Sequence, residues 1–324
     1  MKGRTRQNLF QNKLRKIHYI SIFSHPNHLK MYLILTLFIL ANEQFEISLI
    51  IMEKGNKNII NDNFYLEPSQ VKVNGIYNES CKKACYLDQD LNNVSIIFDK
   101  EIESCENMFN GLINILEIDL SNLDISLVTN MNSMFKECKN LKKITFGNIN
   151  TSKVENMNQL FYYCTELTSI NLSNLDTSSV SNMNSMFSHC ESLLSIDVTN
   201  FNTKKVANMC DLFAHCYKLT SINVSNFNTS KVKNMQGMFY GCLKLVSLDL
   251  SNFNTSLVTN IQGMFDYANS LIFINLYPFK IITDANINFI FDHIPSYTKN
   301  CINDIKTQTL LKVKNNNCSD ICFK

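Results

Sequence analysis

Tryptophan is absent from the 324 residues, and proline and glycine occur only 4 and 8 times. Arginine is confined to Arg4, Arg6 and Arg15, so the array lacks two of the residue types, tryptophan and arginine, that most often anchor tight interfaces. From residue 101 to 294, 12 lysines stand against 17 acidic residues, about −5. An acidic, arginine-free array is a poor match for a polyanion, and no nucleic-acid partner is expected. No phosphate-binding loop, nucleophile elbow or metal-binding helix motif is present. No enzymatic activity, cofactor or metal is therefore expected.

The basic lead is followed by an 11-residue, mostly apolar run at 31–41 that ends in a small residue. It is shorter than the ~20 residues a membrane-spanning helix needs, and has the make-up of a signal-peptide core. Residues 1–41 are read as a basic lead and secretory signal peptide, with Met31 as a candidate true start. A retained signal-anchor is the other reading, and no further membrane span is expected.

What is abundant is repetition. Phe109, Phe135, Phe161, Phe187, Phe213, Phe239, Phe265 and Phe291 lie 26 residues apart. A fixed period of this size marks an array of stacked units. Other columns share the period: Val128 to Val258, Leu141 to Leu271, two asparagine columns, and Cys138, Cys164, Cys190, Cys216 and Cys242. Within one unit, Val180, Met183, Met186, Phe187, Cys190 and Leu193 are spaced 3, 3, 1, 3 and 3, which predicts a short helix. Ile196 and Val198 then predict a short strand. The organisation expected is an N-terminal cap or spacer at 42–100, an array of seven to eight units at 101–294, and a cysteine-containing cap at 295–324. The repeated asparagines are expected to satisfy turn backbone groups.

The pattern Phe161, Cys164, Leu167, Ile170 and Leu172, with the run 225–239, resembles the BspA-like leucine-rich repeat surface proteins. The resemblance covers about residues 100–295. The fold expected is an α/β solenoid: a leucine-rich-repeat-like stack with one short helix and one short strand per 26-residue coil, and a parallel sheet on one face. The resemblance implies a non-catalytic, secreted or cell-surface protein that mediates adhesion to protein or glycan ligands on host or neighbouring cells. The alternative is an intracellular, cytoplasmic leucine-rich repeat scaffold.

The five-cysteine column reads as core filling, because cysteine is among the most buried residue types. The core is expected to hold those cysteines with Phe135, Phe161, Phe187, Phe213, Phe239 and Phe265. Cys81, Cys85, Cys301, Cys318 and Cys322 are candidates for disulfides that staple the caps. A partner would meet the outward strand positions Ser169, Asn171, Ser195, Asp197, Ser221, Asn223, Ser247 and Asp249, although that face also reads as simply solvated. His189 and His215 precede ladder cysteines and are expected to point away from the buried stripe.

Overall fold

The computed structural model describes residues 45–311, apart from 278 and 303. The leader at 1–41, the candidate start at Met31, and Cys318 and Cys322 lie outside these residues.

Strand β1 (Phe45–Met52) buries Phe45, Ile47, Leu49 and Ile51 and leaves the alternate side chains half-exposed. That alternation is what a strand with one covered face requires. Strands β2 (Gly55–Asn58), β3 (Gln70–Val73), β4 (Ile76–Tyr77), β5 (Ala84–Leu87) and β6 (Leu91–Phe98) follow. β1 pairs antiparallel with β6, from Phe45 opposite Phe98 to Met52 opposite Leu91. Its other edge pairs antiparallel with β7 (Ile115–Asn122), which itself pairs parallel with β8 (Lys143–Thr145). The sheet order is β4-β3-β6-β1-β7-β8. Residues 45–98 thus fold onto the first coil, and β7 belongs to both sheet and array.

The expected helix-plus-strand coil is overturned. The only helix among the described residues is α1 (Ile305–Leu311), which lies beyond the array. The chain is not an α/β helix–strand solenoid. Nor does a parallel sheet cover one whole face. Among the described residues, parallel strands are limited to β7–β8 and to β9 (Ser247–Asp249), β10 (Phe273–Asn275) and β11 (Lys299–Cys301). The equivalent segments at 170–172, 196–198 and 222–224 form no strand.

A succession of tight turns takes the helix's place. Around Phe135, the N–H groups of Met134, Lys136, Cys138 and Leu141 donate to carbonyls three residues back, at 3.0–3.3 Å. An α-helix would reach four back. The N–H groups of Met131, Ser133, Phe135 and Glu137 leave the coil altogether. They donate to Asn156, Asn158, Leu160 and Tyr162 of the next coil at 2.6–3.0 Å. Ser133 and Glu137 are left-handed, with φ of 56° and 57°. The same pair of positions is left-handed at 159/163, 185/189, 211/215 and 237/241. A left-handed residue every fourth position stops a right-handed helix from propagating. Apolar residues three apart suit such turns as well as they suit a helix, which is why the spacing misleads.

The columns become ladders. Phenylalanine rings from Phe109 to Phe291 stack with centroids 5.4–6.1 Å apart and planes within 16° of parallel. Phe135, Phe161, Phe187, Phe213, Phe239 and Phe265 are fully buried. Each column cysteine donates its thiol to the carbonyl of a phenylalanine 29 residues earlier, as Cys190 does to Phe161 at 3.3 Å. All five are buried and unbridged. One asparagine column donates to turn carbonyls of the preceding coil, as Asn226 does to Val198 at 3.0 Å and Phe201 at 2.8 Å. The other column, Asn130 to Asn286, forms one parallel bridge per coil. A buried threonine ladder joins them: Thr203 Oγ1 donates to Asn228 O at 3.0 Å and accepts from Asn228 N at 2.7 Å. Few buried polar groups go unpaired, although most of the array has neither helix nor sheet.

Candidate functional site

The eight outward positions are all exposed, but only Ser247 and Asp249 lie in a strand, β9. Asn171, Asp197, Asn223 and Asp249 have a local task. Each Oδ1 accepts from the backbone N–H two residues on, at 2.9–3.1 Å. This is the Asx-turn arrangement, and it ties these side chains to their own backbone. Beside them run Leu194, Val246 and Ile272, exposed by 54%, 42% and 47%.

A concave site lies elsewhere, on the turns that flank the phenylalanine stack. It is a groove of about 480 Å³ crossing several coils. The column two residues before each phenylalanine explains its shape. That column reads Asn107, Ser133, Gln159, Ser185, Asp211, Gly237, Gly263 and Phe289, and every member is left-handed, with φ of 53–59°. The backbone therefore accepts serine, glutamine, aspartate and phenylalanine at this place. Conformation alone does not demand the two glycines. Gly237 supplies room for Asp211, whose Oδ1 a Cβ there would strike, whereas a Cβ on Gly263 would rest in ordinary contact with Tyr240 at 3.7 Å and Asp266 at 3.8 Å. The glycines form a floor between Asp211 at one end and the 57%-exposed Phe289 at the other. Tyr240, Asp266, Gln236 and Gln262 also line the groove.

The adjoining column, two residues after each phenylalanine, builds a ring ladder. Tyr163 stacks on His189 at 3.9 Å and His189 on His215 at 4.1 Å. Gly241 interrupts it, and Tyr267 on His293 resumes it at 4.1 Å. Tyr240 bridges the gap edge-on, 4.9 Å from His215 and 5.7 Å from Tyr267. The histidines thus turn away from the buried cysteine stripe and into the groove wall.

Charge in the groove follows from burial. Desolvation pushes the Asp211 carboxyl up, and its Oδ2 accepts from Cys210 Sγ at 3.3 Å. Burial pulls His215 down to about 4, helped by the neighbouring His189. Burial also lowers His189, against the opposing pull of Glu191. Both imidazoles are neutral at pH 7, which permits their face-to-face contact. Asp266 sits 2.9 Å from His293 Nδ1. No lysine or arginine lines the groove. No cluster of three or more His, Cys, Asp or Glu among the described residues can hold a metal ion. The column thiols are pushed up by burial, Cys242 to about 12, which keeps them protonated and poor nucleophiles.

Of the cap cysteines, Cys81 and Cys85 are bonded to each other, and Cys301 is disulfide-bonded. Reading the sequence for its repeats misses the groove, because the groove consists of departures from them. The available signal was a column in which serine, glutamine, aspartate, glycine and phenylalanine take turns, two residues before the constant phenylalanine.

A family profile described as "Mycoplasma protein of unknown function, DUF285" matches residues 103–221 and, overlapping, 189–305. Neither the curated proteins nor the solved structures contain a match.

Proposed function

The chain belongs to the DUF285 family, and we propose that it is an exported, non-catalytic binding protein that mediates adhesion at the cell surface. In this reading it is a relative of the BspA-like surface proteins, and its partners are proteins or glycans on other cells. The observation that carries the reading is where disulfides stand: before the array at Cys81–Cys85 and after it at Cys301. Disulfides persist where the surroundings are oxidising, as outside the cytosol. The basic lead and 11-residue apolar run at 31–41 supply an export signal of the right composition. A 26-residue coil repeated on a shared core gives an extended surface whose exposed columns vary freely, which suits recognition. The column thiols are buried and protonated, which makes them poor nucleophiles.

The test is antibody labelling of intact, unpermeabilised cells, paired with N-terminal sequencing of the mature chain. Labelling of intact cells and a mature start near Asn42 are expected. A chain labelled only after permeabilisation, with Met1 retained and Cys81 and Cys85 reduced, would instead place it inside as a scaffold.

A further inference from the structure

The groove floored by Gly237 and Gly263 has a composition that selects its ligand. Anions are disfavoured: Asp211 and Asp266 line it, and no lysine or arginine does. A cation is also poorly served. Gln236 Oε1 accepts from Asn260 Nδ2 and Gln262 Oε1 from Asn286 Nδ2, both at 2.8 Å. With their oxygens held in that way, both amides present N–H donors, the wrong polarity for an ammonium or guanidinium group. What the walls ask for is a neutral molecule that donates to a carboxylate and accepts from amide N–H groups in the same small space. The Asp211 carboxylate is half-buried, and its Oδ2 accepts from the Cys210 thiol at 3.3 Å. Its other oxygen has acceptor capacity left. The Tyr240 and Phe289 rings add apolar surface beside these polar groups.

We propose that this groove binds a neutral saccharide, one or two sugar units long, whose hydroxyls donate to Asp211 and accept from Gln236 and Gln262. A volume of about 480 Å³ falls within the usual range for small-ligand sites. Gly263 follows from this assignment, because the glutamine tolerated elsewhere in the column would enter the sugar's place, whereas Gly237 makes room for the Asp211 carboxylate. The proposal rests on the adhesion reading and narrows its partner to a glycan.

Glucose, galactose, mannose, N-acetylglucosamine, lactose and cellobiose are titrated into the full mature chain and followed by saturation-transfer NMR. Gly263→Gln installs the side chain that Gln159 already carries in the same left-handed conformation, so the fold is expected to persist. Asp211→Asn removes the charged acceptor and keeps the shape. At least one sugar is expected to bind at millimolar concentration or tighter, and each substitution is expected to weaken it about tenfold or more with the melting temperature little changed. Absence of binding by all six sugars overturns the proposal, as does binding that Gly263→Gln leaves intact. Binding of a lysine- or arginine-rich peptide in their place overturns it as well. Adhesion of beads coated with the same chain is measured in parallel. Beads that adhere while no sugar binds sink the saccharide assignment alone, whereas beads that do not adhere count against the adhesion reading.

Discussion

His215 shows how much one repeat position is altered by its neighbours. Its ring lies 4.1 Å from His189 and 4.9 Å from Tyr240, and its Nδ1 is 3.1 Å from the Tyr217 hydroxyl. Glu191, Asp211, Tyr162 and Tyr163 are further titratable groups around this pair. An unfolded histidine titrates near 6.5, while folded His215 titrates at about 4. Between these values the unfolded chain binds a proton that the folded chain refuses. Stability therefore rises with pH across this window and falls as the solution is acidified through it. His189 is lowered as well and acts in the same direction. Asp211, raised by burial, acts oppositely as the pH climbs from its ordinary carboxylate value. The urea midpoint is thus expected to drop between pH 7 and pH 5. His215→Phe keeps a ring in the stack and should make that drop smaller; an undiminished slope would remove His215 as its source.

At the scale of the coil, the question is why a helical spacing yields turns. Glu137 decides it experimentally, since φ there is 57° and no hydrogen bond holds its side chain. In a helix, Glu→Gly costs about 1 kcal/mol. At a left-handed position the sign reverses, because glycine is free of the Cβ clash that costs other residues roughly 1–2 kcal/mol there. Gly111 and Gly241 already occupy the same column. Glu137→Gly should be neutral or stabilising by up to about 1 kcal/mol in urea denaturation, and a loss of that size would restore the helix. The inward-facing columns were legible before any coordinates, since Val180, Met183, Phe187 and Cys190 are buried as their spacing requires. The backbone path was not, because 3-3-1-3-3 describes a turn run and a helix equally. The alternation of Phe45, Ile47, Leu49 and Ile51 was legible as a strand too, but it lies outside the 26-residue period. The groove was hidden for a different reason. Asp211, Gly237 and Phe289 share no chemistry, and only the stacking of their coils makes them neighbours.

At the scale of the whole molecule, one apolar core runs from Phe45 through the coils to Ile302 and Leu311 without a break. Each coil contacts chiefly the coils before and after it, so stability is close to a sum of unit and interface terms. The N-terminal sheet covers one end through β7, which pairs with β1 on one edge and β8 on the other. Phe187 stands in the middle of this stack, fully buried, with its ring 5.4 Å from Phe161 and 5.7 Å from Phe213. Removing it takes a ring from two interfaces at once and leaves a cavity that coils tied together by backbone bonds cannot readily close. Phe187→Ala is expected to cost about 3–5 kcal/mol. The loss should spread as well as deepen: amide hydrogen-exchange protection is expected to fall in the coils on both sides, around Phe161 and Phe213, and least in β1 and β6. A cost below about 1 kcal/mol, or protection lost only within the substituted coil, would mean that the phenylalanine column does not couple one coil to the next.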